Sequence, residues 1–235
     1  MADRLPRVVL FDIDGTLLST DGAGRRAMEY AMHATYGVTG VEGYRYDGKT
    51  DRQIVREQLR LLGHEDAAID RGLHDVISTY LTRLPMELAA STGSHVVHPG
   101  VLTLLSVLER DPRMVVGLLT GNVESGAAAK LEVTGIGRAR FVLGAFGSDH
   151  EVRAELPEIA RQRAVTHLGR SVPGDALVII GDTPADMTCG TSIGARAIGV
   201  TTGRYGREAL AAHGPVGIFD ALDDVAAVTD AILGR

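Results

Sequence analysis

The sequence predicts an α/β fold: a doubly wound parallel sheet with helices on both faces, and a helical segment inserted after the first strand. Three observations carry that expectation. Short runs of apolar, largely β-branched residues recur at 8–11, 115–119, 177–180 and 197–200. Each is followed by turn residues and then a helical pattern, as in a parallel sheet covered on both faces. The stretch 19–93 breaks this rhythm and reads as helical, without a strong strand.

Taken in order, Val8-Val9-Leu10-Phe11 is a buried strand running into Asp12. Helical patterns follow over about 22–36, 50–62 and 66–84. Thr50 and Gln53 have the spacing of a capping box for the middle one. Pro85 and the Ser/Thr/Gly stretch 91–94 read as a return linker. The expected division is therefore an α/β core of 1–18 and 94–235 around an insertion of 19–93. Helices merely packed on the sheet are the alternative. His98-Pro99 reads as a helix start, and Asn122 is placed to cap a helix through about 131. A helix is expected over 151–168. Thr183-Pro184-Ala185-Asp186 combines an N-cap, a proline at the first helical position and an acid at the third. The last helix, 221–233, puts Leu222, Val225 and Ile232 on one face.

Composition narrows the function. The chain has 235 residues, 45% hydrophobic and 23% charged, which excludes collagen, coiled coil and disorder. A net charge of −6 and the absence of tryptophan argue against a nucleic-acid partner. No apolar run reaches the ~18 residues of a membrane helix, and Met1 to Gly15 shows no signal-peptide core. A cytoplasmic location is expected, as a monomer or homodimer. One cysteine, Cys189, rules out an internal disulfide and a four-cysteine zinc site. Of 24 basic residues only Lys49 and Lys130 are lysines.

Three motifs carry chemistry. In the first, Asp12-Ile13-Asp14-Gly15-Thr16, a buried strand ends in two acids at i and i+2, which extended backbone places on one side. Strand C-termini are where open α/β sheets bind ligands. Two acids there repel unless a cation sits between them, and a hard divalent cation suits carboxylates plus phosphate oxygens. The second, Thr120-Gly121-Asn122, offers a hydroxyl and backbone N–H groups to an anionic oxygen. The third, Gly181-Asp182-Thr183-Pro184-Ala185-Asp186, adds two more acids. Capping explains Asp186 but not Asp182.

In this order the motifs resemble the haloacid dehalogenase-like (HAD) superfamily of hydrolases, over the whole chain. The resemblance implies a HAD-like Rossmannoid core, with the insertion as a helical cap like that of phosphoglycolate phosphatase-type members and β-phosphoglucomutase. It implies a Mg²⁺-dependent phosphatase acting on a small phosphorylated metabolite, with a phosphomutase as the alternative. Asp12 would be the nucleophile that forms an aspartyl-phosphate. Asp14 would be general acid, then base. Asp12, Asp182 and the Asp14 carbonyl would hold Mg²⁺, with Asp186 supporting or sharing that shell. Thr120 would bind the transferring phosphoryl group, next to Gly121 and Asn122. Asp14 also favours phosphoryl transfer over dehalogenation, because an alkoxide needs a proton to leave and a halide does not.

One departure is the basic residue. Family members usually place a lysine beside the phosphoryl group. Here Lys130 lies ten residues after Thr120, roughly 10 Å down the following helix at 1.5 Å per residue. Arg153, at the start of the helix before the third motif, is therefore the expected phosphate clamp. A rival motif is also present: Gly43 to Thr50 matches G-x(4)-G-K-[ST], the P-loop of nucleotide triphosphatases. No buried strand precedes it, so a helix cap at Thr50 is the expected role. Arg45, Lys49 and Arg52 then become candidates to meet an anionic substrate tail.

Overall fold

The computed structural model describes residues 5–235. Residues 1–4, part of the expected core segment 1–18, lie outside the described residues. The chain runs β1 (Arg7–Phe11), β2 (Leu18–Ser19), α1 (Ala23–Tyr36), α2 (Asp51–Leu61), α3 (Asp66–Ala90), β3 (Val96–Val97), α4 (Val101–Arg110), β4 (Met114–Thr120) and α5 (Glu124–Val133). It continues through β5 (Leu143–Phe146), α6 (Leu156–Leu168), β6 (Leu177–Gly181), α7 (Pro184–Thr188), β7 (Arg196–Val200), α8 (Arg207–Ala211), β8 (Gly217–Phe219) and α9 (Val225–Leu233).

Six strands form one parallel sheet in the order β5-β4-β1-β6-β7-β8. The chain builds outward from β1 to β5, then returns to lay β6 on the other side of β1. That reversal opens a crevice at the C-terminal ends of the central strands. Alternation along the strands explains the continuous apolar runs. Val9, Phe11, Val116, Leu118, Val178 and Ile180 pack on one face with Leu104, Leu131, Val228 and Ile232. Val8, Leu10, Val115, Leu119, Leu177 and Ile179 pack on the other with Leu156, Ala160 and Ala164. Each such buried aliphatic side chain contributes about 1.5–3 kcal/mol.

Helices α1–α3 have a core of their own, including Met28, Met32, Ile54, Leu59, Ile69, Val76, Tyr80 and Leu84. Val123, just before α5, joins it from the sheet side. Ala23, Ala27 and Ala31, four apart, give α1 a flat stripe in this core. The two chain crossings into and out of this helical layer pair as an antiparallel ribbon, Leu18 with Val97 and Ser19 with Val96.

Some local expectations are corrected. Helix α3 runs to Ala90, straight through Pro85. Buried Leu84 and Leu88, with Arg26 and Arg83 both paired to Glu87, hold it past the proline. Thr50 caps α2, accepting from the Gln53 amide at 3.1 Å, but the Gln53 side chain reaches Glu57 instead, so the box is half made. Asn122 caps nothing; Val123 holds the N-cap position of α5. His98 precedes α4 and lies 3.2 Å from the Ser19 hydroxyl. The 151–168 helix begins as a 3₁₀ turn over Arg153–Glu155. Edge strands β5 and β8 are four and three residues long, too short to show a period.

The helical layer docks through the loop before α2. The Asp51 amide donates to the Gly121 carbonyl at 2.8 Å. A Cβ on Gly121 would fall 1.9 Å from the Lys49 carbonyl oxygen, backbone that has no room to yield. Gly121→Ala should therefore lower stability by about 1–3 kcal/mol in urea unfolding. Gly206→Ala, at φ −76° with open space around it, should stay within about 0.5 kcal/mol. Equal midpoints for the two variants would refute this docking.

Candidate active site

Three strand ends converge because β1 lies between β4 and β6, with Phe11 in register with Leu118 and Ile180. Asp12 follows β1, and its amide donates to the Ile180 carbonyl at 2.9 Å. Thr120 closes β4 and Asp182 follows β6. Asp186 comes from the first turn of α7 and is set by local structure. Its Oδ2 accepts from the Thr183 amide at 3.0 Å, and its own amide donates to the Thr183 hydroxyl at 3.3 Å, a complete capping box. Arg153 enters from the turn before α6. Its guanidinium pairs with Asp186 and lies 3.3 Å from Asp12 Oδ1.

Asp12, Asp182 and Asp186 are buried, and each offers a carboxylate oxygen within 4.8 Å of the others. Burial pushes the Asp12 carboxyl up to about 6, while neighbouring Arg153 pulls it back. Burial, then the Asp186 and Asp12 charges, hold Asp182 well above the usual carboxylate range, though the Thr16 hydroxyl donates to it at 2.8 Å. Two glycines close on this carboxylate. A Cβ would lie 2.4 Å from Asp182 Oδ2 at Gly15 and 1.8 Å at Gly203, and Gly15 also needs φ +82°. Three buried hard-oxygen donors facing one guanidinium leave excess negative charge. That donor set fits a hard divalent cation.

Asp14 is not in this cluster. Its two carboxylate oxygens lie 2.8 and 2.7 Å from Lys130 Nζ. Asn122 Nδ2 donates to Asp14 Oδ2 at 2.8 Å, and Lys130 Nζ donates to Asn122 Oδ1 at 2.7 Å. The expectation that Lys130 sits too far down its helix is thus corrected. Counting rise per residue places its Cα, not its amine. Helical side chains slant toward the N-terminus, and the lysine stem adds reach. Asn122 also donates through Nδ2 to Thr120 Oγ1 at 2.9 Å, which links the second motif to the first.

The sequence profile of the haloacid dehalogenase-like hydrolases matches residues 9–191. The chain belongs to that family. It is 29% identical to phosphoglycolate phosphatase 1 of Pseudomonas aeruginosa, over 97% of this chain and 82% of that enzyme. It is also 29% identical to the phosphoglycolate phosphatase of Rhodospirillum rubrum, over 92% and 88%. A hydrolase structure from Pseudomonas syringae superposes with a TM-score of 0.70 at 20% identity, over 95% of this chain and 98% of that one. Family and relatives together make the protein a HAD-like phosphatase.

In this HAD-like enzyme a cavity of about 520 Å³ joins the acid cluster to the helical layer. Asp12, Asp14, Thr120, Gly121, Asn122, Arg153 and Asp182 line its floor, and Arg25, Met28, Tyr46 and Tyr80 its far wall. The sequence offered no motif for those four. Lys49 also lines it, but its amine pairs with Glu57 and donates to the Tyr44 hydroxyl at 2.8 Å. Arg45 pairs with Asp47, its guanidinium 4.9 Å from the Tyr205 ring centroid, and neither Arg45 nor Arg52 is part of the lining. The P-loop match is no P-loop: helix α1 precedes it rather than a strand, and Thr50 caps α2.

Asp51, the first residue of α2, is buried and accepts from the Val123 amide at 2.8 Å. Burial pushes its carboxyl up to about 6, against the pull of Lys130. A carboxyl raised on folding stays protonated in the native chain after the unfolded chain has ionised. Its stabilising effect is full below about pH 4 and is lost as pH rises through 6. Asp51→Asn keeps the acceptor and removes the titration. Its stability between pH 4 and 7 should fall less than that of the wild type, by up to about 3 kcal/mol. Parallel pH profiles from urea unfolding would count against a strained Asp51.

Proposed function

We propose that this phosphatase hydrolyses a small phosphorylated metabolite through an aspartyl-phosphate, with residues 1–18 and 94–235 as catalytic core and 19–93 as the cap over the site. The observation that carries the reading is the opposite surroundings of two acids two residues apart. Asp12 faces Arg153 and the acid cluster, while Asp14 faces Lys130 and Asn122. That contrast supports Asp12 as nucleophile and Asp14 as acid and base.

Asp12 attacks phosphorus while the leaving-group oxygen takes a proton from Asp14. Water then attacks the aspartyl-phosphate and gives its proton back to Asp14. Thr120, with Gly121 and Asn122 beside it, binds the phosphoryl oxygens. Arg153 stabilises the transferring group. Its guanidinium lines the cavity beside Asp12. Mg²⁺, held by Asp12, Asp182 and the Asp14 carbonyl with Asp186 in support, would cancel charge between phosphate and carboxylates. A cavity of this size, between cap and core, suits a small ester rather than a polymer. The relatives make phosphoglycolate the first compound to assay. No described helix is long and apolar enough to cross a membrane. We infer a cytoplasmic monomer or homodimer that uses no nucleic acid.

A panel of phosphorylated metabolites with Mg²⁺, read as released phosphate, tests the reading. A phosphatase releases phosphate, whereas a mutase returns an isomeric phosphate ester. Excess EDTA should abolish turnover and Mg²⁺ restore it; full activity in EDTA would remove the metal from the scheme. Asp12→Asn should leave no rate above background. Arg153→Ala should lose about two orders of magnitude, near 3 kcal/mol, and Arg153→Lys should recover part of it. Wild-type activity in Arg153→Ala would sink its assignment. Lys49→Ala should change KM at most; loss of the chemical step would put its amine at the reacting group rather than at the substrate tail.

A further inference from the structure

Two buried cations stand at the site in two different places. Arg153 lies against Asp12 and Asp186, and Lys130 lies against Asp14. The Lys130 side chain is 6% exposed, while that of Asp14 is 44% exposed. A carboxylate so exposed has no packing to hold its orientation. Lys130 holds both oxygens at once, and Asn122 fixes Oδ2 from a second direction. Lys130 is itself held by Asn122 Oδ1 and by close approach of α1, where a Cβ on Gly24 would lie 3.1 Å from its Nζ.

We propose that Lys130 is the positioning residue for proton transfer by Asp14, while Arg153 serves the nucleophile Asp12. The proposal rests on the phosphatase reading above. As the P–O bond breaks, its electron pair leaves with the ester oxygen. That oxygen takes the Asp14 proton, and the Asp14 carboxylate left behind is stabilised by the ammonium of Lys130 and the amide of Asn122. In the second half-reaction this carboxylate accepts the proton of the attacking water, as phosphate is released from Asp12. Lys130 acts through Asp14, and its effect must scale with how much the leaving group needs a proton.

That scaling is the test. Benzyl phosphate releases a strongly basic alkoxide, while p-nitrophenyl phosphate releases a weakly basic phenolate of similar size. In Lys130→Met, which keeps the stem and removes the charge, the ratio of kcat/KM for benzyl over p-nitrophenyl phosphate should fall about 100-fold. Lys130→Arg should recover part of that ratio. Arg153→Ala, acting at the nucleophile, should slow both esters alike. An equal loss on both esters in Lys130→Met, or no loss on either, overturns the proposal. If Lys130→Met does not fold, Asn122→Ser, which removes the second hold on Asp14, carries the same test. A wild-type enzyme that turns over no phosphate ester overturns the phosphatase reading instead.

Discussion

Everything at the site is arranged around a contact that is unfavourable on its own: three buried carboxylates, Asp12, Asp182 and Asp186, meeting with one guanidinium among them. Removing one partner from a buried ion pair typically costs about 3–5 kcal/mol, because a charge is left unpaired in low dielectric. The surrounding structure keeps the acids together despite their repulsion. Hydrogen-bonded strand ends fix Asp12 and Asp182, a helix cap fixes Asp186, and Gly15 and Gly203 close over the Asp182 carboxylate. Such gathering of negative charge has a use when a cation and an anionic phosphoryl group share the space.

The helical layer answers a different demand. The C-terminal end of the sheet alone is open, and helices α1–α3 fold over it. The segment that imitates a P-loop joins this helical layer to the sheet. It docks by backbone against Gly121, by Asp51 on the Val123 amide, and by the Thr50 hydroxyl on the Glu151 carbonyl at 2.6 Å. Arg56 adds a pair with Glu151 at 2.6 Å. Gly48 serves close packing against the core: a Cβ there would meet Ala185 at 2.7 Å.

The two buried cations show why charge count alone underdetermines a site. Arg153 has a planar fork and can lie between two carboxylates at once. Lys130 is a point charge on a flexible stem, and it meets one carboxylate, that of Asp14. Each side chain suits the partner geometry it has, and exchanging them would fit neither.

Much of this was legible in the sequence, because its signals are local. The β1, β4, β6 and β7 runs, the helical insertion, and the Asp12/Asp14 and Asp182/Asp186 pairs all express short-range periodicity and strand-end chemistry. Helix α3 outran its expected end because packing at Leu84 and Leu88 overrides what Pro85 signals. Asn122 has the identity of a helix cap, yet its side chain reaches Asp14 across 108 residues of sequence. Helical rise alone sets Lys130 far from the site, because it locates a backbone atom and not an amine several bonds away. Tyr46, Tyr80 and Arg25 reach the cavity only once α1–α3 fold over the sheet. The class of fold and the acids that define its chemistry follow from neighbours along the chain, so they can be read without a structure. Which cation meets which acid, and what walls the cavity, were decided by tertiary structure, because those contacts depend on side-chain direction and on how two layers pack.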